Sequence, residues 1–267
     1  MAFDIQAYFT RIGFKGVAAP TLETLKRIHL LHTCSIPFEN LDVLLGRTID
    51  IEEDKVFEKL IVAGRGGYCY EQNALLRAAL LEIGFEVVDL AARVLISEPS
   101  EIPPRTHRLL LVMINQQCFI ADVGFGGKTL TGPLRLETDV EQSTPHGVYR
   151  LTHLDGDDLL SFKRQEGWMP LYRFDLQQQY FSDFQVANHY VSTWPDSHFR
   201  HHLMVCLHNA DGTTMTLNDR SFNDGQQRLE TADEATLYAI LQDVFGLSLK
   251  HTQHGISFDE FAAICPK

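Results

Sequence analysis

The chain has 267 residues, 45% of them apolar and 22% charged, with 23 Lys and Arg against 35 Asp and Glu and a net charge of −12. That is ordinary globular composition, with enough apolar surface to offset the entropy of ordering, so a wholly disordered chain is excluded. The acidic balance argues against sequence-independent nucleic-acid binding, which needs cations to neutralise phosphates, and the longest aliphatic run, residues 109–114, is far short of the ~20 residues of a membrane helix.

In chain order the pattern begins helical. DIQAYFTRIGF is a short amphipathic segment, and Leu22, Leu25, Ile28, His29 and His32 recur at helical spacing. Val56, Leu60 and Ile61 predict a third helix ended by Gly64. A fourth begins near Cys69, with Leu75, Leu76, Ala79, Leu80 and Ile83 on one face and Gly84 as its stop. From about 85 to 190 short apolar or alternating runs predict strands at 85–88, 92–96, 109–114, 119–123 and 148–151. Beyond that, strands at 204–207 and 213–217 precede two capping boxes, Thr231…Glu234 and Ser257…Glu260, each opening a helix.

Asp4 interrupts any basic-then-apolar signal pattern in the opening MAFDIQAYFTR. Five cysteines (34, 69, 118, 206 and 265) form no CxxC. Both features lead us to expect a cytoplasmic protein with free thiols, no metal and no membrane association.

Cys69 is the most informative of the five. It follows Arg65-Gly66-Gly67-Tyr68 and opens a predicted helix, where unpaired N–H groups and the helix dipole stabilise an anion. Thiols in such positions ionise at pKa values of roughly 3.5–7.5 rather than ~8.5. A buried, inert cysteine is the competing reading.

His107 and Asp122 sit on two runs separated by Asn115-Gln116-Gln117, the signature of a β-hairpin. A two-residue loop makes paired positions sum to an odd number, 231 or 233, and puts His107 and Asp122 on one face. A three-residue loop gives 232 and separates them. Two of the three registers therefore permit a Cys-His-Asp triad, in which a thiolate attacks, an imidazole moves the proton and a carboxylate fixes its tautomer. The same residue order serves thiol hydrolases, and the residues alone do not separate the two.

The turn Gly124-Phe125-Gly126-Gly127 has the flexibility to form an N–H nest for an anion, with Lys128 adding one positive charge. Arg11, Glu39 and Arg65 are candidates for a buried ion-pair cluster. His198 and His202 stand at i, i+4, but no carboxylate or cysteine in the run completes a metal set, so solvated or structural histidines are the expectation.

Several of these blocks together resemble one family. Arg65-Gly66-Gly67-Tyr68-Cys69-Tyr70-Glu71-Gln72-Asn73 is similar to the catalytic signature of arylamine N-acetyltransferases. So are Ile36-Pro37-Phe38-Glu39-Asn40-Leu41, Thr106-His107-Arg108-Leu109 and Ala121-Asp122-Val123-Gly124-Phe125-Gly126-Gly127, with Ser197-His198-Phe199 later in the chain. The likeness is to the bacterial type also called N-hydroxyarylamine O-acetyltransferase.

The resemblance implies an α+β fold in three parts: an N-terminal helical bundle (1–84), a central antiparallel β-barrel (85–190) and a C-terminal α/β lid (191–267). It implies a Cys69-His107-Asp122 triad, acetyl-CoA as donor, and arylamines, arylhydrazines or N-hydroxyarylamines as acceptors. Phe38, Phe125 and Phe199 would face the acceptor, and Thr106, Gly124, Gly126 and Gly127 the coenzyme. It also makes Arg11, Glu39 and Arg65 look like a structural ion-pair network, and it leaves a homodimer open.

Overall fold

The helices have local reasons for their ends in the computed structural model, which describes residues 3–96, 99–231, 233–251 and 253–266. α1 (Ile5–Ile12) starts where Asp4 accepts the N–H groups of Gln6 and Ala7, and stops at Gly13 with φ +69°. α2 (Leu22–Ser35) is capped by Thr21. A two-residue strand, β1 (Phe38–Glu39), and α3 (Leu41–Leu44) follow. α4 (Glu53–Phe57) continues into a π-helical turn at Glu58–Val62 and ends before Gly64. α5 (Cys69–Ile83) ends on Gly84 in the left-handed region, as its sequence predicts.

The expected strands at 85–88 and 92–96 are one continuous strand, β2 (Glu86–Val94). It is followed by β3 (Arg105–Ile114), β4 (Gln117–Ala121), β5 (Leu134–Arg135), β6 (Glu141–Thr144), β7 (Gly147–Leu154), β8 (Asp157–Arg164) and β9 (Gly167–Phe174). These eight form an antiparallel sheet in the order β5-β4-β3-β2-β9-β8-β7-β6 that curls into a nearly closed barrel. At the seam the Gln142 side chain of β6 donates to the Arg135 carbonyl and accepts the Arg135 N–H of β5, both at 2.8 Å.

The β3–β4 hairpin has the two-residue loop. Asn115 and Gln116 both have positive φ, +49° and +64°, as a type I′ turn requires. Pairs such as Leu110↔Ala121 and Ile114↔Gln117 sum to 231. Alternation then assigns the two faces: Leu110, Val112, Phe119 and Ala121 pack into the helical core, while Leu109, Leu111 and Ile120 fill the barrel. The hairpin is a wall buried on both sides, hence its unbroken aliphatic run.

Residues 181–193 correct the expected pattern. They form a helix, α6 (Phe181–Thr193), and it runs across the expected boundary at 190. Only Phe184, Asn188 and Val191 are buried, a stripe too narrow to stand out in QQQYFSDFQVANHY.

The remaining strands are β10 (Met204–His208), β11 (Thr214–Asn218), β12 (Ser221–Asn223) and β13 (Arg228–Glu230), followed by α7 (Glu234–Ala239) and α8 (Phe258–Ile264). They build a second sheet ordered β1-β10-β11-β12-β13, so β1 crosses from the N-terminal part to pair with β10. The Ser257–Glu260 capping box opens α8 as expected. The one expected at Thr231 does not form: Asp233 caps α7, and the Thr231 hydroxyl donates to the Arg220 carbonyl. Among the described residues no helix is long and apolar enough to cross a membrane.

Candidate active site

Cys69 is the first residue of α5, and its helix start is built from both sides. Glu71 reaches back to accept the Tyr68 N–H at 3.0 Å and takes a second bond from the buried Lys59 at 2.7 Å. The sulfur lies 4.0 Å from the Thr106 carbonyl, which also accepts from the Tyr70 hydroxyl at 2.8 Å. Thr106 itself is a β-bulge. Ala92 pairs with His107 and Arg93 with Arg105, so Thr106 has no partner and the strand is re-aimed just before His107.

The 231 register brings His107 and Asp122 to the barrel face of the hairpin, where His107 Nε2 donates to Asp122 Oδ2 at 2.7 Å. That leaves Nδ1 for the Cys69 sulfur, with which the imidazole also interacts. Burial alone pulls this imidazole down. The Asp122 charge, its hydrogen bond and the sulfur outweigh burial and push His107 up to about 10.

Asp122 is completely buried and its carboxylate accepts four hydrogen bonds. Besides His107, Oδ2 takes the Tyr172 hydroxyl at 2.9 Å, and Oδ1 takes Asn73 Nδ2 and the Gly124 N–H, each at 2.9 Å. Burial opposes its ionisation, but His107 and these donors hold the carboxyl below its ordinary range. Asn73 Oδ1 in turn accepts the Val123 N–H, so one α5 side chain clamps helix to strand. Behind the strand, the Asp122 N–H donates to His29 Nε2 at 3.1 Å. Residue types gave no hint of Tyr172, which arrives from β9, or of His29, one of twelve histidines. Asn73 had a signal: it lies four residues after Cys69, on the same helix face.

Every sequence-predicted site residue except Asp122 lines one cavity of about 710 Å³. Phe38, Phe125 and Phe199 stand around Cys69 and His107; the Phe125 and His107 rings meet edge-on at 4.9 Å. Thr106, Gly124, Gly126 and Gly127 complete the rim, together with Lys128 and His198. A Cβ at Gly124 would lie 2.7 Å from the Cys69 Cα, so only glycine lets this turn touch the start of α5. A smaller hollow of about 460 Å³, between residues 46–51 and α6, contains none of the predicted residues.

Two expectations change. The turn at 124–127 is not an open nest along its length, because Gly124 N–H serves Asp122 and Phe125 N–H serves the Thr129 hydroxyl. Arg11 is outside the ion cluster and donates to the Leu60 carbonyl. The cluster is instead Glu39–Arg65–Asp42–Lys59–Glu71, with Arg65 bound to Glu39 at 2.7 Å and Lys59 to both Asp42 and Glu71 at 2.7 Å. The His198 and His202 rings make structural contacts of the expected kind: they face each other at 4.4 Å while His202 binds Asp219 at 2.8 Å, on a 3₁₀ turn and its exit.

Residues 21–254 match the N-acetyltransferase family. The chain is 47% identical to the arylamine N-acetyltransferase / N-hydroxyarylamine O-acetyltransferase of Salmonella typhimurium, over 99% of this chain and 96% of that one. It superposes on a solved arylamine N-acetyltransferase from the same organism with a TM-score of 0.95, 46% identity and coverage of 98% and 97%. It superposes on the Mycobacterium marinum arylamine N-acetyltransferase in complex with CoA with a TM-score of 0.92, 35% identity and 98% of each chain covered. By cavity, fold and sequence together, the chain belongs to the arylamine N-acetyltransferase family.

Proposed function

We propose that the protein transfers acetyl groups from acetyl-CoA to aromatic amines, hydrazines and hydroxylamines through a thioester on Cys69. The observation that carries this reading is the line Cys69–His107–Asp122 opening onto an aromatic cavity. In the first half-reaction the Cys69 sulfur, its proton held by His107, attacks the acetyl carbonyl. The bond from acetyl carbon to the coenzyme sulfur breaks, and the departing thiolate takes the proton from the imidazolium. In the second, the acceptor nitrogen or oxygen attacks the acetyl-cysteine, His107 takes its proton, and the Cys69 thiolate is released. One thioester replaces another in the first step, so the intermediate is close to balanced in energy.

Asp122 keeps the Nε2–H tautomer and so leaves Nδ1 to work at the sulfur. The N–H groups that open α5 face the developing oxyanion; one such donor is typically worth ~10²–10³ in rate. General-base help from His107 adds roughly 10²–10⁴. Phe38, Phe125 and Phe199 stack on the flat acceptor and exclude the water that would hydrolyse the thioester. In this reading residues 1–84 supply the nucleophile, 85–190 the base and its orienter, and 191–267 the outer wall. The CoA-bound relative supports the donor, and the names of the relatives support the acceptors.

The test is intact mass after mixing with acetyl-CoA and no acceptor. One acetyl group should appear on Cys69, and Cys69→Ala should abolish both label and turnover. Cys206 is the internal control, because it lines the same cavity but burial pushes its thiol up to about 12. Label on Cys206, or none, overturns the proposal. An acceptor panel of anilines, hydrazines and hydroxylamines then ranks N- against O-acetylation.

A further inference from the structure

The cavity has two unlike ends. The inner end is aromatic and holds Cys69 and His107. The outer wall is a polar stripe: Thr214, Thr216 and Asn218 are alternate residues of β11 and so share a face, and Asn223 of β12 pairs with Thr216. The 3₁₀ turn Gly126–Lys128 packs on this stripe, where a Cβ at Gly127 would lie 3.6 Å from Thr216 Cγ2.

Lys128 is the cation on this wall. Its Nζ sits 4.4 Å from the centre of the Phe162 ring, which holds the ammonium in place by a cation–π contact. Among the described residues no carboxylate pairs with it. The cation it feels is Arg164, exposed at the end of β8, and burial together with that repulsion pulls the Lys128 ammonium below its ordinary value. A chain with a net charge of −12 has no shortage of carboxylates, yet among the described residues none forms an ion pair with this half-buried lysine. An anion placed there relieves the repulsion and gains a charge-assisted hydrogen bond.

We infer that Lys128 docks a phosphate of the acyl donor, so that the cavity selects phosphorylated thioesters over uncharged ones. The inference rests on the acetyl-transfer reading for the identity of its ligand. The polar stripe offers hydroxyl and amide partners along the path between that phosphate and the sulfur.

The experiment is calorimetric binding of CoA, dephospho-CoA and pantetheine to the wild type and to Lys128→Met, Lys128→Arg and Arg164→Met. Lys128→Met should weaken CoA about tenfold, the size of one lost charged hydrogen bond, and Lys128→Arg should restore most of it. Arg164→Met should weaken CoA less than Lys128→Met. Pantetheine, which carries no phosphate, should bind every variant alike. Added salt should weaken CoA on the wild type more than on Lys128→Met.

Lysine dependence that persists with dephospho-CoA assigns the contact to the diphosphate, and dependence that disappears assigns it to the ribose phosphate; either upholds the inference. CoA binding unchanged in Lys128→Met overturns it, as does a loss that pantetheine shares. Binding does not require the thioester. Lysine-dependent CoA binding without acetylation of Cys69 would therefore sink the transfer reading alone. Acetylation with a dispensable lysine would sink this inference alone.

Discussion

Two buried histidine sites on opposite sides of one strand behave in opposite ways. In the helical core, burial pulls His29 down to about 3 and His32 down to about 4. On the barrel side His107, just as buried, rises to about 10. The partners decide. His32 is held by the Tyr8 hydroxyl at 2.9 Å and the Gln72 amide at 2.8 Å, and His29 accepts a backbone N–H, all neutral groups. His107 has a carboxylate at 2.7 Å. Both sites meet at Asp122, whose main chain serves the neutral ring and whose side chain serves the charged one. Burial lowers all three rings, and only at His107, where the Asp122 carboxylate is hydrogen-bonded to the ring itself, do the opposing interactions win.

The largest effect that should break this contrast is Asp122→Asn. With the charge gone, burial dominates, and the His107 imidazole should titrate below 6.5 instead of near 10, read by its NMR shifts against pH. Acetyl transfer should fall roughly 10³–10⁴-fold through the wrong tautomer. A near-normal rate would reduce Asp122 to a turn residue.

The pH dependence of stability should show both signs at once. His29 and His32 are depressed, so their contribution is complete above about 6.5 and is lost as pH falls toward 4. His107 is raised, so its contribution is complete below about 6.5 and is lost as pH climbs toward 10. The Tm measured against pH should therefore decline on both limbs. His32→Gln should flatten only the acid limb and His107→Gln only the alkaline one. If either variant leaves its limb unchanged, the assignment of that histidine is wrong.

The smallest effect concerns the wall between the two sites. Gln116 occupies a left-handed position that glycine adopts without strain. Gln116→Gly should raise stability by about 1 kcal/mol, a few degrees in Tm by calorimetry. A loss would show that the turn is held by contacts rather than by its own geometry.

Much of this was legible in residues 1–123. Helix ends at Gly13, Gly64 and Gly84 are local events, and the parity of a hairpin loop limits which residues share a face. The choice among registers is local but was not legible, because Asn115-Gln116-Gln117 has no glycine to mark which two residues take positive φ. α6 escaped because its buried stripe is three side chains wide in a polar run. Tyr172 was invisible because β9 reaches the site only through the order of the sheet. The ion cluster was misjudged at Arg11 and missed at Lys59 and Asp42, since spacing says nothing about which long side chain reaches which carboxylate.

The two-residue strand β1 ties the molecule together. Phe38 bridges to Gly67 on one side and pairs with Cys206 on the other, while Glu39 carries the partner of Arg65. Arg65 in turn donates to the His254 carbonyl at 2.5 Å. A cut anywhere between Arg65 and His254 would part that guanidinium from its acceptor, and a cut between Glu39 and Val205 would leave β10 with a bare edge. The cavity is a shared possession of distant stretches of sequence, and it comes into being only when the last of them has folded back onto the first.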